Sequence, residues 1–239
     1  MTASPVRRLL RIVADALYPP QCVACGRWGE FLCRSCLERA DAERPPARCG
    51  HCDAAWEGSG FCPRCLALRD LGGVRAAFEF TGVARRAVHQ LKYGFTAALA
   101  EPMARAMAER LDLTPYDAAV PVPIHPSRRR WRGFDQAEEL ARRLPLPRAP
   151  GRLRRIRKTR SQVGLAAAER RRNLGGAFAY DGPPLDGLRI ALVDDVVTSG
   201  ATAAECAAVL RDAGAAMVTA VAFARASYEA ASPDAPIRE

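Results

Sequence analysis

The stretch Leu188-Arg-Ile-Ala-Leu-Val-Asp-Asp-Val-Val-Thr-Ser-Gly-Ala-Thr-Ala-Ala-Glu-Cys206 decides how the chain is read. Its apolar run Ile190–Val193 has the composition of a buried strand and ends in two adjacent carboxylates, Asp194 and Asp195. A turn of small residues, Thr198–Thr202, then opens a helix. In a parallel sheet such a turn falls at the carboxyl edge of the strand, where ligands bind. Backbone N–H groups at the helix start, with Thr and Ser hydroxyls, cradle a phosphate monoester. The two carboxylates beside it accept hydrogen bonds from vicinal sugar hydroxyls. Phosphate and diol together point to a ribose 5-phosphate. A polar strand end followed by an ordinary helix cap would not require all three features at once.

Working outward, strands are expected at Ala76–Phe80, Asp117–Val122, Arg152–Ile156, Ala177–Tyr180, Leu188–Val193 and Met217–Ala224. Helices are expected at Val83–Lys92, Ala97–Leu111, Asp135–Arg143, Ala166–Asn173 and Thr202–Asp212. The alternation predicts an α/β fold over residues 74–228, a mostly parallel sheet with flanking helices. Residues 1–17 read as a short amphipathic helix with Leu10, Val13 and Leu17 on one stripe, and residues 229–239 as a frayed tail.

Residues 18–70 differ in kind. Eight of the nine cysteines form four Cys-x-x-Cys pairs there: Cys22/Cys25, Cys33/Cys36, Cys49/Cys52 and Cys62/Cys65. No apolar run approaches the roughly 20 residues of a membrane span, and no cleavable leader is evident. A reducing cytosol is therefore expected, where paired thiolates at this spacing suit tetrahedral zinc rather than disulfides. Two zinc ions are expected, one on Cys22, Cys25, Cys33 and Cys36 and one on Cys49, Cys52, Cys62 and Cys65, with an interleaved arrangement open. His51 is read as a loop residue that could replace one thiolate. Four sulfurs leave no position for water, so these ions are structural. Cys206, alone on the helix behind the phosphate turn, reads as a small buried hydrophobe.

The chain of 239 residues carries a formal charge of +10, and two four-thiolate zinc sites lower it to near +6. Residues 121–172 hold 16 of the 36 cations and only 4 of the 26 acids. One basic face directed at phosphate, of a nucleotide or of nucleic acid, follows. Within it, Arg128-Arg129-Arg130-Trp131 mixes cations with an aromatic as single-strand binders do, although a solvated loop explains it equally well. The helix face Ala168–Arg172 reads as solvated, as does His89. Cations are 34 Arg and only Lys92 and Lys158. Both lysines are candidate phosphate contacts, Lys158 within a polar stretch able to fold over the site.

The 188–206 stretch resembles the phosphoribosyl diphosphate (PRPP) motif of type I phosphoribosyltransferases. Val120-Pro-Val-Pro-Ile-His125 with Arg132-Gly-Phe-Asp-Gln136, Arg160-Ser-Gln-Val-Gly-Leu165 with Glu169-Arg-Arg-Arg-Asn173, Leu91-Lys-Tyr93 and the double Cys-rich start together resemble the ComF family of competence proteins. The resemblance spans roughly residues 8–225. It implies that Asp194 and Asp195 hold the ribose hydroxyls and that Thr198, Ser199, Gly200, Ala201 and Thr202 wrap the 5-phosphate. Val122, Pro123, Ile124 and His125, with Arg132, would grip pyrophosphate, and magnesium would accompany the diphosphate. It further implies a role in natural transformation, with single-stranded DNA and competence helicase or recombination-mediator proteins as partners. A free-standing phosphoribosyltransferase acting on a base or amine is the alternative, and an interaction module with a vestigial ligand site is a third. No catalytic base is identifiable. Asp135 stands where the family usually has Asn, and Ser199 where Thr is common.

Overall fold

The computed structural model describes residues 19–58, 61–68, 70–94, 96–157 and 176–226. The expected N-terminal helix, Lys158, the 160–165 and 169–173 segments, the helix at Ala166–Asn173 and the tail lie outside them. Among the described residues, no helix is long and apolar enough to cross a membrane.

The sheet consists of β1 (Gly73–Glu79), β6 (Met217–Arg225), β5 (Arg189–Val197) and β2 (Ala118–Pro121), in that spatial order and all parallel. The expected strands at 152–156 and 177–180 form as β3 (Arg152–Arg155) and β4 (Phe178–Asp181), but as a separate antiparallel pair. Strand alternation divides the core between the two faces of the sheet. Ala191, Val193, Val221 and Phe223 face α2 (Gly82–Tyr93), α3 (Ala100–Arg110) and α5 (Gln136–Ala141). Ile190, Leu192, Val218 and Ala220 face α6 (Ala201–Asp212). Short α4 (Pro126–Arg132), read from sequence only as a basic cluster, follows β2. Its start is set by Pro126 in the first turn and by His125, whose Nδ1 accepts from the Ser127 N–H at 3.2 Å.

Each Cys-rich unit packs on a different face. Cys22, Leu32, Cys33, Cys36 and Leu37, the last two on α1 (Arg34–Ala42), join the α2/α3 side. Cys49, Cys52, Cys62, Cys65 and Leu68 join the α6 side. Partly buried ion pairs brace the second unit, and Arg48 reaches Glu79 of β1 at 3.1 Å. Arg44 and Arg48 both reach the Asp53 carboxylate, at 3.0 and 2.9 Å, and that carboxylate accepts the Ala76 N–H at 2.9 Å.

Strand β5 runs four residues beyond the expected Val193, because β6 pairs it as far as Val197↔Arg225. The paired acids therefore lie within the strand rather than after it. Alternation sends them to opposite faces of the sheet.

Candidate functional site

Both cysteine quartets are sequential, with all ligand sulfurs of each set within 4.8 Å of one another. Sulfur separations are 3.7 Å for Cys25–Cys33, 3.3 Å for Cys49–Cys65 and Cys52–Cys62, and 3.6 Å for Cys62–Cys65. A tetrahedral zinc with bonds of about 2.3 Å sets neighbouring sulfurs about 3.8 Å apart, so the two quartets fit two zinc ions. The two units repeat one geometry. The Cys33 N–H points at Cys22 Sγ at 3.5 Å, and the Cys62 N–H at Cys49 Sγ at 3.4 Å. The Ser35 hydroxyl holds the Cys33 thiol down to about 6. Burial resists ionisation of Cys49, but the N–H groups of Cys62, Cys52 and His51 bring it to about 6. His51 takes no part in the sulfur cluster: its Nε2 lies 3.3 Å from the Leu68 carbonyl oxygen.

At the carboxyl edge of the sheet, Asp194 and residues 196–203 line a small hollow. Gly200, with φ +76°, makes the left-handed step into α6, and the Ser199 hydroxyl accepts from the Ala201 N–H at 3.4 Å. Asp194 accepts the Asp195 N–H at 2.8 Å. Burial, then the adjacent Asp195 charge, push the Asp194 carboxyl well above the usual carboxylate range. Cys206 is fully buried behind it, its thiol pushed well up by burial first and Asp194 second.

Asp195 faces the other way and is 1% exposed. Lys92, from α2, meets its Oδ2 at 2.6 Å. Burial pulls the ammonium down, but Asp195 and then Asp194 outweigh it, and Lys92 is held above its ordinary value. Arg132 is also buried. Its guanidinium donates to Gln136 Oε1 and lies 5.9 Å from the Tyr93 ring centre, while its Nε has no hydrogen-bond partner among the described residues. Burial lowers its affinity for the proton and the Asp195 charge restores part of it. Lys92 and Arg132 thus set two cations near buried Asp195, while half-buried Asp194, on the other face of the strand, lines the hollow.

The Val122–His125 loop follows β2, beside β5, with the Val122 N–H donating to the Val193 carbonyl at 2.9 Å. Asp135 has a defined task. One oxygen caps α5 by accepting the Ala137 and Glu138 N–H groups, and the other accepts the Ile124 N–H at 3.2 Å. It therefore ties the loop to the helix. Burial raises its carboxyl in spite of these three bonds. Asp135-Gln-Ala-Glu138 carries the Asp-x-x-Glu signature of a helix start, so this cap was readable in the sequence.

A surface row of rings, not foreseen from the sequence, begins at this edge. Phe80, His89, Tyr93 and Trp131 follow one another at centroid spacings of 6.2, 5.7 and 6.4 Å. Tyr93 and Trp131 are 58% and 59% exposed. Residues 85, 89 and 93 fall one helical turn apart on α2, which aligns the row with exposed Arg85, while Arg128, Arg129 and Arg130 are exposed on α4.

A phosphoribosyltransferase-like α/β sheet bearing a double zinc ribbon, each ribbon built on four cysteines, is the class that this fold and these sites define. The family model described as a double zinc ribbon domain matches residues 13–66. "DNA utilization protein YhgH" of Salmonella typhi is 33% identical over 211 residues, 82% of this chain and 90% of that protein. The Escherichia coli K12 protein of the same name is 37% identical over 143 residues, 55% of this chain and 62% of that protein. "Competence protein F" of Haemophilus influenzae is 37% identical over 116 residues, 46% of this chain and 51% of that protein. The chain belongs to the ComF family.

Proposed function

We propose that this protein binds Mg–PRPP at the turn between β5 and α6, contacts single-stranded DNA across the adjoining ring-and-arginine surface, and serves DNA uptake and utilisation from the cytosol. The relatives' names, DNA utilization and competence, support the biological role. The observation that supports the ligand reading is the charged set at the carboxyl edge: Lys92 paired with buried Asp195, buried Arg132, and half-buried Asp194 lining a hollow of Thr, Ser and Gly.

The chemistry of the donors fits magnesium, which binds through one or two carboxylates together with phosphate oxygens. Asp194 lines the hollow and is the carboxylate that would hold it, whereas Asp195 is engaged by Lys92. The ion would neutralise diphosphate charge. On the protein side, Arg132 and Lys92 supply fixed cations in a site of low dielectric. That is where charge developing on departing pyrophosphate gains most. This arrangement favours, as a second reading, transfer of phosphoribosyl to a base or amine.

Four rings flanked by arginines support the DNA reading, since base–aromatic stacking and phosphate neutralisation together hold single strands without sequence preference. A competence helicase and a recombination mediator are the partners proposed with it.

Pyrophosphate release from Mg–PRPP is the test that separates the readings, run with a panel of bases and amines, with and without single-stranded DNA. Acceptor-dependent release that vanishes in Asp194→Asn/Asp195→Asn establishes a transferase. PRPP binding without release favours a ligand-responsive DNA accessory protein. Absence of both binding and release overturns the ligand reading.

A further inference from the structure

Arg225 closes β6 and is 3% exposed. Its Nε donates to the Cys52 carbonyl oxygen at 2.9 Å. Its Nη1 donates to the Val197 carbonyl at 2.9 Å and to the Thr198 carbonyl. One guanidinium therefore joins the backbone of a zinc-ligand cysteine to the first residues of the phosphate turn. A planar trans peptide points its N–H opposite to its C=O. Holding the Val197 and Thr198 carbonyls toward Arg225 thus aims the N–H groups of Thr198 and Ser199 away from it.

The same ribbon touches the turn a second time. Leu68, three residues after Cys65, is 1% exposed and lies so close to Gly200 that a Cβ there would fall 2.5 Å from Leu68 Cδ2. Both halves of the second cysteine quartet, Cys52 and the segment after Cys65, therefore bear on residues 197–200. Among the described residues, the first quartet sends no such contact; it packs on the opposite face of the sheet.

We propose that the second zinc ribbon is part of the frame of the sugar-phosphate turn, with Arg225 as the positioning residue that transmits it. The inference rests on the ligand reading above for its consequence, and on hydrogen bonds within the protein for its geometry. Metal held by Cys49, Cys52, Cys62 and Cys65 fixes the Cys52 backbone, which fixes Arg225, which sets the peptide planes of the turn.

The test compares full-length zinc-loaded protein with Arg225→Met, Arg225→Lys and Phe78→Leu. Phe78 is a buried β1 residue on the opposite face, so Phe78→Leu controls for general destabilisation. Zinc per chain, calorimetric affinity for Mg–PRPP and amide hydrogen exchange in peptides spanning 197–203 are read for each. Arg225→Met is expected to retain two zinc ions, bind PRPP about 10-fold more weakly through loss of charge-assisted bonds, and exchange faster in 197–203. Arg225→Lys should fall between, because an ammonium cannot span both sides. Phe78→Leu should leave affinity and local exchange unchanged. Wild-type affinity and unchanged exchange in Arg225→Met overturn the coupling. If wild-type protein fails to bind PRPP, the ligand reading falls, and the exchange measurement alone decides whether Arg225 frames the turn.

Discussion

The two adjacent aspartates should have opposite effects on stability when neutralised. Asp195 is almost fully buried against Lys92 at 2.6 Å, and the Lys92 side chain is itself only 23% exposed. Asp195→Asn keeps the shape but removes the one carboxylate that the largely buried ammonium contacts directly. Breaking a buried pair in this way costs about 3–5 kcal/mol. For a chain of this size each kcal/mol shifts Tm by about 2–4 °C, so a fall on the order of 10 °C is expected. Asp194→Asn acts the other way. Burial and Asp195 raise the Asp194 carboxyl, and an amide retains the acceptor for the Asp195 N–H. A gain of about 1 kcal/mol at pH 7.5 is expected, in the range of substitutions that relieve strain at a functional site.

The pH dependence follows from the same asymmetry. Unfolded Asp194 titrates at about 3.9 and folded Asp194 higher. Between the two values the folded chain binds more protons than the unfolded one, so stability falls as pH rises through that interval. The advantage of Asp194→Asn over wild type should therefore shrink as pH falls through the interval between the raised folded value and about 3.9. Thermal unfolding of the zinc-loaded proteins reads both effects. Lys92→Met in combination with Asp195→Asn should recover most of the loss, because neither charge is then left alone. Shifts of the same sign for the two Asn variants, or additive losses in the Lys92/Asp195 cycle, would refute the reasoning.

Asp135→Asn should keep the α5 cap but lose the bond to Ile124, since an amide nitrogen cannot accept. A loss of about 1 kcal/mol is expected in urea unfolding, against about 2 kcal/mol for Asp135→Ala, which removes the cap as well. For DNA, Tyr93→Ala and Trp131→Ala should each weaken binding of a labelled single strand by about 1–3 kcal/mol, nearly independent of salt. Neutralising Arg128, Arg129 and Arg130 should instead flatten the dependence of affinity on salt, its logarithmic slope falling by roughly 0.7 for each phosphate no longer neutralised. Fluorescence anisotropy across a salt series distinguishes the two patterns.

The sheet, the cysteine quartets and the small-residue turn after β5 were legible because each depends on local signals: apolar runs, fixed ligand spacing, and small residues after a strand. The extent of β5 was not, since Asp194-Asp195 reads as a strand end and only pairing with β6 carries the strand to Val197. Antiparallel pairing of β3 with β4 outside the main sheet likewise depends on residues 20 or more positions apart. Lys92 was flagged by its rarity, yet the structure pairs it with Asp195, a partner no spacing rule relates to it. The ring row joins residues from β1's exit, α2 and α4, so it exists only once those elements pack. Arg225 reads in the sequence as the polar end of an apolar strand. Its bond to Cys52, 173 residues away, appears only in three dimensions.

Binding of a ribose phosphate at the β5–α6 turn is the central claim. Calorimetry of Mg–PRPP against zinc-loaded wild type and Asp194→Asn tests it most directly, because the variant is expected to be at least as stable as the parent. Saturable binding of one ligand per chain, lost in Asp194→Asn without loss of fold or zinc, is the predicted result. No binding by wild type, or equal binding by the variant, would contradict it.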